Sequence, residues 1–170
     1  MKASMTDGLA GKSDMLAGLV PGDAGFRLAR RVESGQALSG RTIGMAVARA
    51  LAVMENNGSM RCVVAAPTAG ACGVLPAVLV PLYCRGTVDE EAIVRALYVA
   101  AGIGAVVGYR ASISGASGGC QAEVGTAAAM AAGALVDLRG GGPEQIGHAV
   151  AMALKNLMGL VCDPVAGLVE

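Results

Sequence analysis

Apolar positions recur with helical spacing in several separate windows of this chain, and glycine-rich or polar stretches mark where each window ends. Phe26, Leu28 and Val32 supply the apolar side of a short helix over 24–34, with Asp23 placed to cap its start and Gly35 following its end. Ser39-Gly40 precede a longer helix, about 41–56, on which Ile43, Val47, Ala50, Leu51 and Met54 share a face; Asn56-Asn57-Gly58 stops it. Pro67-Thr68-Ala69-Gly70 is a turn, and the helix after it spans about 71–84, its start drawn toward Val74 by Pro76. Thr87 followed by Glu90 reads as a capping box for a helix over 88–109. Gly102, Gly104 and Gly108 within that helix point to close approach of neighbours, since each weakens the helix on its own. RASISGASGG, residues 110–119, predicts an irregular loop. A helix over about 120–138 ends at Gly140-Gly141-Gly142, and Pro143 opens a last one to about 158. Residues 1–22 lack firm periodicity and read as a lead-in arm. The expected fold is all-α: a compact bundle of about six helices with glycine- and serine-rich loops at 67–70, 110–119 and 159–167. No fixed-period repeat is present, and no linker divides 23–170 into separate domains.

Composition sharpens this picture. Of 170 residues, 33 are Ala and 26 Gly, whereas aromatics are only 2%, so helices of small side chains are favoured over strands. Lys+Arg and Asp+Glu are equal at 13 each; without basic excess or stacking platforms, nucleic-acid binding is not expected. A hydrophobic content of 54% excludes a disordered tail. Charged residues are 15%, against about 25–35% for an ordinary soluble surface. Apolar surface should therefore be covered by more protein: a partner subunit, a second copy or further chain. The ending Gly167-Leu168-Val169-Glu170 has no closing helix, as expected of a chain that continues. Residues 62–84 carry no charge and are long enough to span a bilayer, but Pro67, Pro76 and Pro81 fit a buried loop leading into a buried helix, and no membrane partner is expected. Charges at Lys2, Asp7, Lys12, Asp14 and Asp23 leave no room for a secretory signal.

Candidate chemistry lies in the loops. Five cysteines without an export signal do not suggest a disulfide framework. Cys120 follows Gly118-Gly119 at a helix start, where N–H groups and the helix dipole favour a thiolate; Cys162 follows a helix exit and precedes Asp163-Pro164. They are either packing residues or two ligands of a metal or cluster that needs a third. Ser112, Ser114 and Ser117, with the N–H groups of Gly115, Gly118 and Gly119, form either a carboxylate or phosphate cradle or a plain connector. The loop lacks the Lys-Ser/Thr ending of a P-loop. Thr68 offers a hydroxyl in the 67–70 turn. Glu123, one helical turn after Cys120, could hydrogen-bond a ligand, act as an acid, or merely complement the dipole. His148, the only histidine, reads as a surface residue; no HExxH or GxSxG motif occurs.

VVAAPTAGACGVLPAVL (63–79), ASISGASGGCQAEVG (111–125) and NLMGLVCDPVAGLVE (156–170) together resemble the alpha subunit, or catalytic domain, of the iron-sulfur-dependent L-serine dehydratases. The likeness runs from about Ser39 to Glu170, and more loosely from Gly8. It implies an all-helical catalytic domain, of which 23–170 would be the N-terminal part, converting L-serine to pyruvate and ammonia with a [4Fe-4S] cluster as Lewis acid and without pyridoxal phosphate. Cys120 and Cys162 stand where that family has two cluster ligands. Ser112, Ser114 and Ser117 stand where it contacts substrate, and Thr68 to Gly70 lie in another active-site segment. The resemblance also implies a beta subunit or domain, a missing C-terminal part of the catalytic domain carrying a further cysteine, a homo-oligomer and a cytoplasmic location. Two positions depart from the family pattern: Arg110 stands where Asn is frequent, and Arg61 where Gly is usual. The competing reading is a non-catalytic helical partner subunit whose cysteines are buried and inert.

Overall fold

The computed structural model describes residues 1–11, 13–15 and 18–159. Eight α-helices occupy them: α1 Lys2–Leu9, α2 Ala24–Glu33, α3 Gly40–Gly58, α4 Val74–Cys84, α5 Glu90–Arg110, α6 Gly115–Gly118, α7 Cys120–Leu138 and α8 Pro143–Leu157. A 3-10 turn spans Ala69–Ala71. Among the described residues the only extended pairing is an isolated bridge between Ser13 and Gly22. The fold is all-α, as the periodicity predicts. The chain divides into two compact units, one formed by Met1–Val64 and the other beginning at Ala65.

In the first unit, α3 carries α1 and α2. Its buried face is not the one the apolar spacing selects. Ile43, Val47 and Leu51 are exposed, while Gly44, Met45, Ala48, Ala52 and Val53 are buried. The cause is close helix contact through glycine. A Cβ on Gly25 would lie 2.6 Å from the Ala52 nitrogen and 2.8 Å from the Ala48 oxygen, and one on Gly8 would meet the Ala52 carbonyl. At such separations only small residues fit on the facing side, and the larger apolar side chains turn outward. Ala29, Val32, Met45 and Ala48 form the local core, with Leu9, Leu28 and Ala37 against it. The lead-in segment thus contains a helix, α1, that burying Ser4, Met5 and Gly8 stabilises; its polar sequence shows little periodicity.

Glu55 caps α2 from a distance. Asp23 occupies the N-cap position without a side-chain capping bond. Instead the Ala24 and Gly25 N–H groups donate to Glu55 Oε1 and Oε2 at 2.6 and 3.2 Å. Burial raises the pKa of the Glu55 carboxyl, partly offset by those two hydrogen bonds. Asn56 beside it donates to the Ser4 carbonyl at 2.8 Å and accepts from the Ser13 hydroxyl at 3.2 Å, tying α1 and the following loop to α3.

In the second unit α7 is central, and nothing on its buried side is larger than methionine: Gly125, Thr126, Ala127, Ala129, Met130, Ala131, Gly133 and Ala134. Helices α4, α5 and α8 pack against it. Gly104 of α5 meets Met130, whose sulfur would be 3.0 Å from an added Cβ. Gly133 of α7 faces Ile103 of α5 and Ile146 of α8. Gly102 faces open space, and Gly108 has only ordinary van der Waals contact with Ile113, so one of the three α5 glycines marks a close approach. The cap of α5 is Asp89, whose carboxylate accepts from the Ala92 N–H at 2.8 Å, not the expected Thr87. An aspartate one residue before the helix competes better for the free N–H groups than a threonine three residues away.

The charge-free stretch 62–84 is helical only over Val74–Cys84, 11 residues, with Leu75, Pro76, Ala77, Leu79, Val80 and Pro81 buried as expected; the loop before it is not buried as expected, since Cys62, Val64, Ala65 and Ala69 are exposed. By length and composition, α5 is the described helix long and apolar enough to cross a membrane, with a mean hydropathy of 1.7 over its most apolar window. It presents an outward apolar stripe at Val94, Tyr98, Val106 and Tyr109 while burying Ala96, Ala100 and Gly104. With Ile43, Val47 and Leu51 on α3, this stripe is the exposed apolar surface that the low charge content anticipates.

Candidate active site

Two of the loops singled out in the sequence meet in the second unit, at the first turn of α7. The Ala66–Pro67 peptide is cis, and Thr68 follows in extended conformation as the residue before the 3-10 turn. Its carbonyl partners are local: the Ala66 and Ala71 N–H groups both donate to the Thr68 carbonyl. The Thr68 hydroxyl oxygen is buried and has no hydrogen-bond partner. The 3-10 turn packs on α7.

The serine loop is more ordered than its composition suggests. The Ser114 N–H donates to Ser112 Oγ at 3.1 Å, which sets the turn. Ser114 then caps the four-residue α6, with the Ser117 and Gly118 N–H groups donating to its carbonyl. The Ser114 and Ser117 side chains are exposed, and Ser112 is half-buried. Gly119 has φ 76°, a left-handed conformation that suits glycine, and it turns the chain from α6 into α7 at Cys120. Cys120 is therefore the first residue of α7, half-buried, beside N–H groups that lack intrahelical partners.

Glu123 joins the two loops. A Cβ built on Gly70 would lie 2.6 Å from Glu123 Oε2, and one on Gly115 would lie 2.7 Å from the same oxygen. One carboxylate thus lies over both glycines, and a side chain at either position would displace it. Neither glycine has positive φ, so it is the space beside Cα, not backbone conformation, that requires glycine here. No ion pair among the described residues includes Glu123. Gln121, two residues earlier on α7, has a buried side-chain nitrogen without a partner. Neither the bridging position of Glu123 nor Gln121 follows from the sequence. The available signal was a carboxylate one turn from Cys120 with two glycine loops to serve.

Thr68, the serine loop, Glu123 and Cys120 belong to one unit, whereas Cys162 lies outside the described residues. No group of three or more His, Cys, Asp or Glu side chains suited to a metal ion occurs among the described residues. Cys62 and Cys84 are exposed and Cys72 is fully buried; none of these, nor Cys120, is in a disulfide. Burial pushes the Cys72 thiol up to about 11, as suits a packing residue. His148 is exposed, 3.9 Å from Glu144 on the same helix, a surface residue as read. The donor chemistry of Cys120, a half-buried thiol at a helix N-terminus, fits a thiolate ligand.

A family model described as the serine dehydratase alpha chain matches residues 1–170. The chain is 48% identical over 170 residues to a probable L-serine dehydratase alpha chain of Bacillus subtilis (strain 168), covering all of this chain and 56% of that protein. It is 46% identical over 137 residues to the L-serine dehydratase alpha chain of Peptoniphilus asaccharolyticus, covering 81% of this chain and 47% of the relative. Against L-serine dehydratase TdcG of Escherichia coli (strain K12) identity is 49% over 122 residues, 71% of this chain and 27% of the relative. The chain thus spans about half the length of its alpha-chain relatives.

Proposed function

The chain belongs to the serine dehydratase alpha-chain family, and from that membership we propose that it is part of an L-serine ammonia-lyase, which converts L-serine to pyruvate and ammonia. The observation that supports this reading in the chain itself is the meeting of the Thr68–Gly70 turn, the serine loop and Cys120 at the first turn of α7, joined by Glu123. On this reading residues 23–170 are the N-terminal part of the helical catalytic domain, and residues 1–22 lead into it. Its partners are the rest of an alpha chain, a beta subunit or domain, and a second copy. Its location is the cytoplasm, where thiols stay reduced.

Loss of hydroxide from L-serine is difficult at neutral pH because hydroxide is a poor leaving group. Cys120 and Cys162, with cysteine from the remaining alpha chain, would hold a [4Fe-4S] cluster, which when bound would supply Lewis acidity to offset charge on the departing oxygen. The residues of this chain contribute binding and alignment. The hydroxyls of Ser112, Ser114 and Ser117 take the substrate carboxylate; the Gly118 and Gly119 N–H groups, expected to share in this cradle, are already bonded within the loop and α6, as are those of Ser114 and Ser117. The Thr68 hydroxyl, buried and without a protein partner, donates to the substrate from the opposite loop. Fixing both ends of a three-carbon substrate holds its α hydrogen and β hydroxyl in one arrangement for elimination. Removal of the α proton and loss of water leave an enamine that tautomerises and is hydrolysed to pyruvate and ammonia.

The test is Cys120→Ala in the complete assembly of alpha and beta parts, with iron content and the cluster's visible absorbance measured beside pyruvate formation. Iron and absorbance should both fall. Unchanged values would remove Cys120 from the ligand set, and an assembly that binds no iron at all would favour the inert helical partner.

A further inference from the structure

We propose that the Glu123 carboxylate receives the α-ammonium group of the amino acid substrate, at the seam between the Thr68–Gly70 turn and the serine loop. This deepens the lyase reading and rests on it. Three observations converge. First, the same oxygen, Oε2, lies over both Gly70 and Gly115, so the turn that carries the Thr68 hydroxyl and the loop that carries the serine hydroxyls close on this one charge. Second, Glu123 is half-buried, yet no lysine, arginine or histidine among the described residues forms an ion pair with it. A partly desolvated carboxylate gains strongly from a cation that also donates hydrogen bonds. Third, Thr68 Oγ1, on the turn that packs on α7 two residues before Gly70, is buried and has no hydrogen-bond partner. Buried polar groups in folded proteins are almost always bonded, so an unpartnered hydroxyl on a turn that Glu123 covers marks a place for a polar molecule.

The assignment divides the substrate's charges between the loops. The carboxylate goes to the serine hydroxyls, which can donate; the ammonium goes to an acceptor that carries negative charge. A 2-hydroxy acid of the same shape has no cation for Glu123 and should be bound more weakly. The carboxylate also sits one helical turn from Cys120, so the same turn would hold the amino group and face the centre that Cys120 ligates.

The experiment uses the complete assembly with Glu123→Gln, which keeps shape and removes charge. The Michaelis constant for L-serine should rise about tenfold or more, with kcat falling by less than about threefold. Inhibition by glycerate, the hydroxy counterpart of serine, should stay within about twofold, and iron content should not change. Equal loss of affinity for serine and glycerate, or an unchanged Michaelis constant, overturns the proposal. Should the glutamine variant fail to assemble, Glu123→Asp withdraws the charge by one methylene and should weaken serine while sparing glycerate. An unsubstituted assembly that makes no pyruvate from L-serine defeats the lyase reading alone. The ammonium site is then decided by direct binding of L-alanine against L-lactate: a preference for the amino acid that Glu123→Gln abolishes supports it, while an absent or retained preference defeats it.

Discussion

Adding a single methyl group at Gly70 or Gly115 separates what the site needs for folding from what it needs for function. In Gly70→Ala the new Cβ would stand 2.6 Å from Glu123 Oε2, and in Gly115→Ala 2.7 Å, where ordinary contact begins near 3.4 Å. The carboxylate must therefore retreat by about 0.7–0.8 Å, the difference between those distances. It is the end of a flexible side chain, so the retreat costs one distorted or changed rotamer, about 0.5–1.5 kcal/mol. Loss of glycine's freedom in the unfolded chain returns about 0.4–1 kcal/mol, because neither position has positive φ. Net stability should change by less than about 1 kcal/mol. Gly25→Ala is the contrast: its Cβ would meet the backbone of Ala48 and Ala52, which cannot swing away, and it should cost about 1–3 kcal/mol. Urea unfolding followed by circular dichroism measures all three. In the complete assembly, however, a carboxylate displaced by most of an ångström should cost about 10–100-fold in kcat/KM for L-serine. Full activity in both loop variants would mean that the position of Glu123 is immaterial. Unfolding by several kcal/mol would mean that the carboxylate is clamped, and the reasoning from its freedom to move would be wrong.

Other outcomes follow from the same geometry. Met60 has φ 58° at the end of α3, where the Arg61 and Met60 N–H groups donate to Asn56 and Asn57, and it is exposed; Met60→Gly should stabilise the chain by about 0.5–1 kcal/mol in urea unfolding, because glycine accepts left-handed backbone without the side-chain penalty. Glu55→Ala removes the acceptor for two N–H groups, of which Gly25's is buried, and should cost about 1–3 kcal/mol. Because burial raises the folded pKa of Glu55, its contribution is fully present below the ordinary value of 4.5 and declines as pH rises through the folded value, so the cost of this truncation should be greatest in acid and shrink toward neutrality. A cost that grew with pH would reverse the assigned shift. A maleimide reagent at neutral pH should label exposed Cys62 and Cys84 in the folded chain but reach Cys72, whose thiol is buried and pushed up to about 11, only after denaturation; mass spectrometry of the peptides decides it.

Much of the fold was legible because this chain punctuates its helices with backbone chemistry. Gly35 and Gly140, read from the sequence as helix ends, take positive φ there with paired N–H groups folding back on the last turn, and Gly86 closes α4 in the same way. Pro143 and the Gly119-Cys120 junction set helix starts as local rules require. Sequence pattern failed where tertiary contact overrides side-chain character. Ile43, Val47 and Leu51 form the more hydrophobic face of α3 and lie exposed, because α1 and α2 approach through Gly8 and Gly25 and leave room only for Ala48 and Ala52. Periodicity weighs hydrophobicity and cannot weigh the distance between helix axes.

The candidate site shows the same division. Thr68, Ser112, Ser114, Ser117 and Cys120 could be nominated one by one, since hydroxyls among glycines and a thiol at a helix start are local features. Their convergence could not, because it depends on where the turn at Ala69–Ala71 packs along α7, 50 residues away in the chain. Glu123 is the member whose role changes most. Alone in the first turn of a helix, an acidic residue is explained by the dipole, and nothing more is needed. Placed over two glycines from different loops, and in no ion pair among the described residues, the same carboxylate is no longer explained by its own helix. A dipole partner would tolerate side chains at Gly70 and Gly115 by turning to solvent, with no loss beyond a few tenths of a kcal/mol. A group that meets a substrate would not, and that is why the two alanine variants, which leave Glu123 itself intact, discriminate between these roles more sharply than removing the carboxylate.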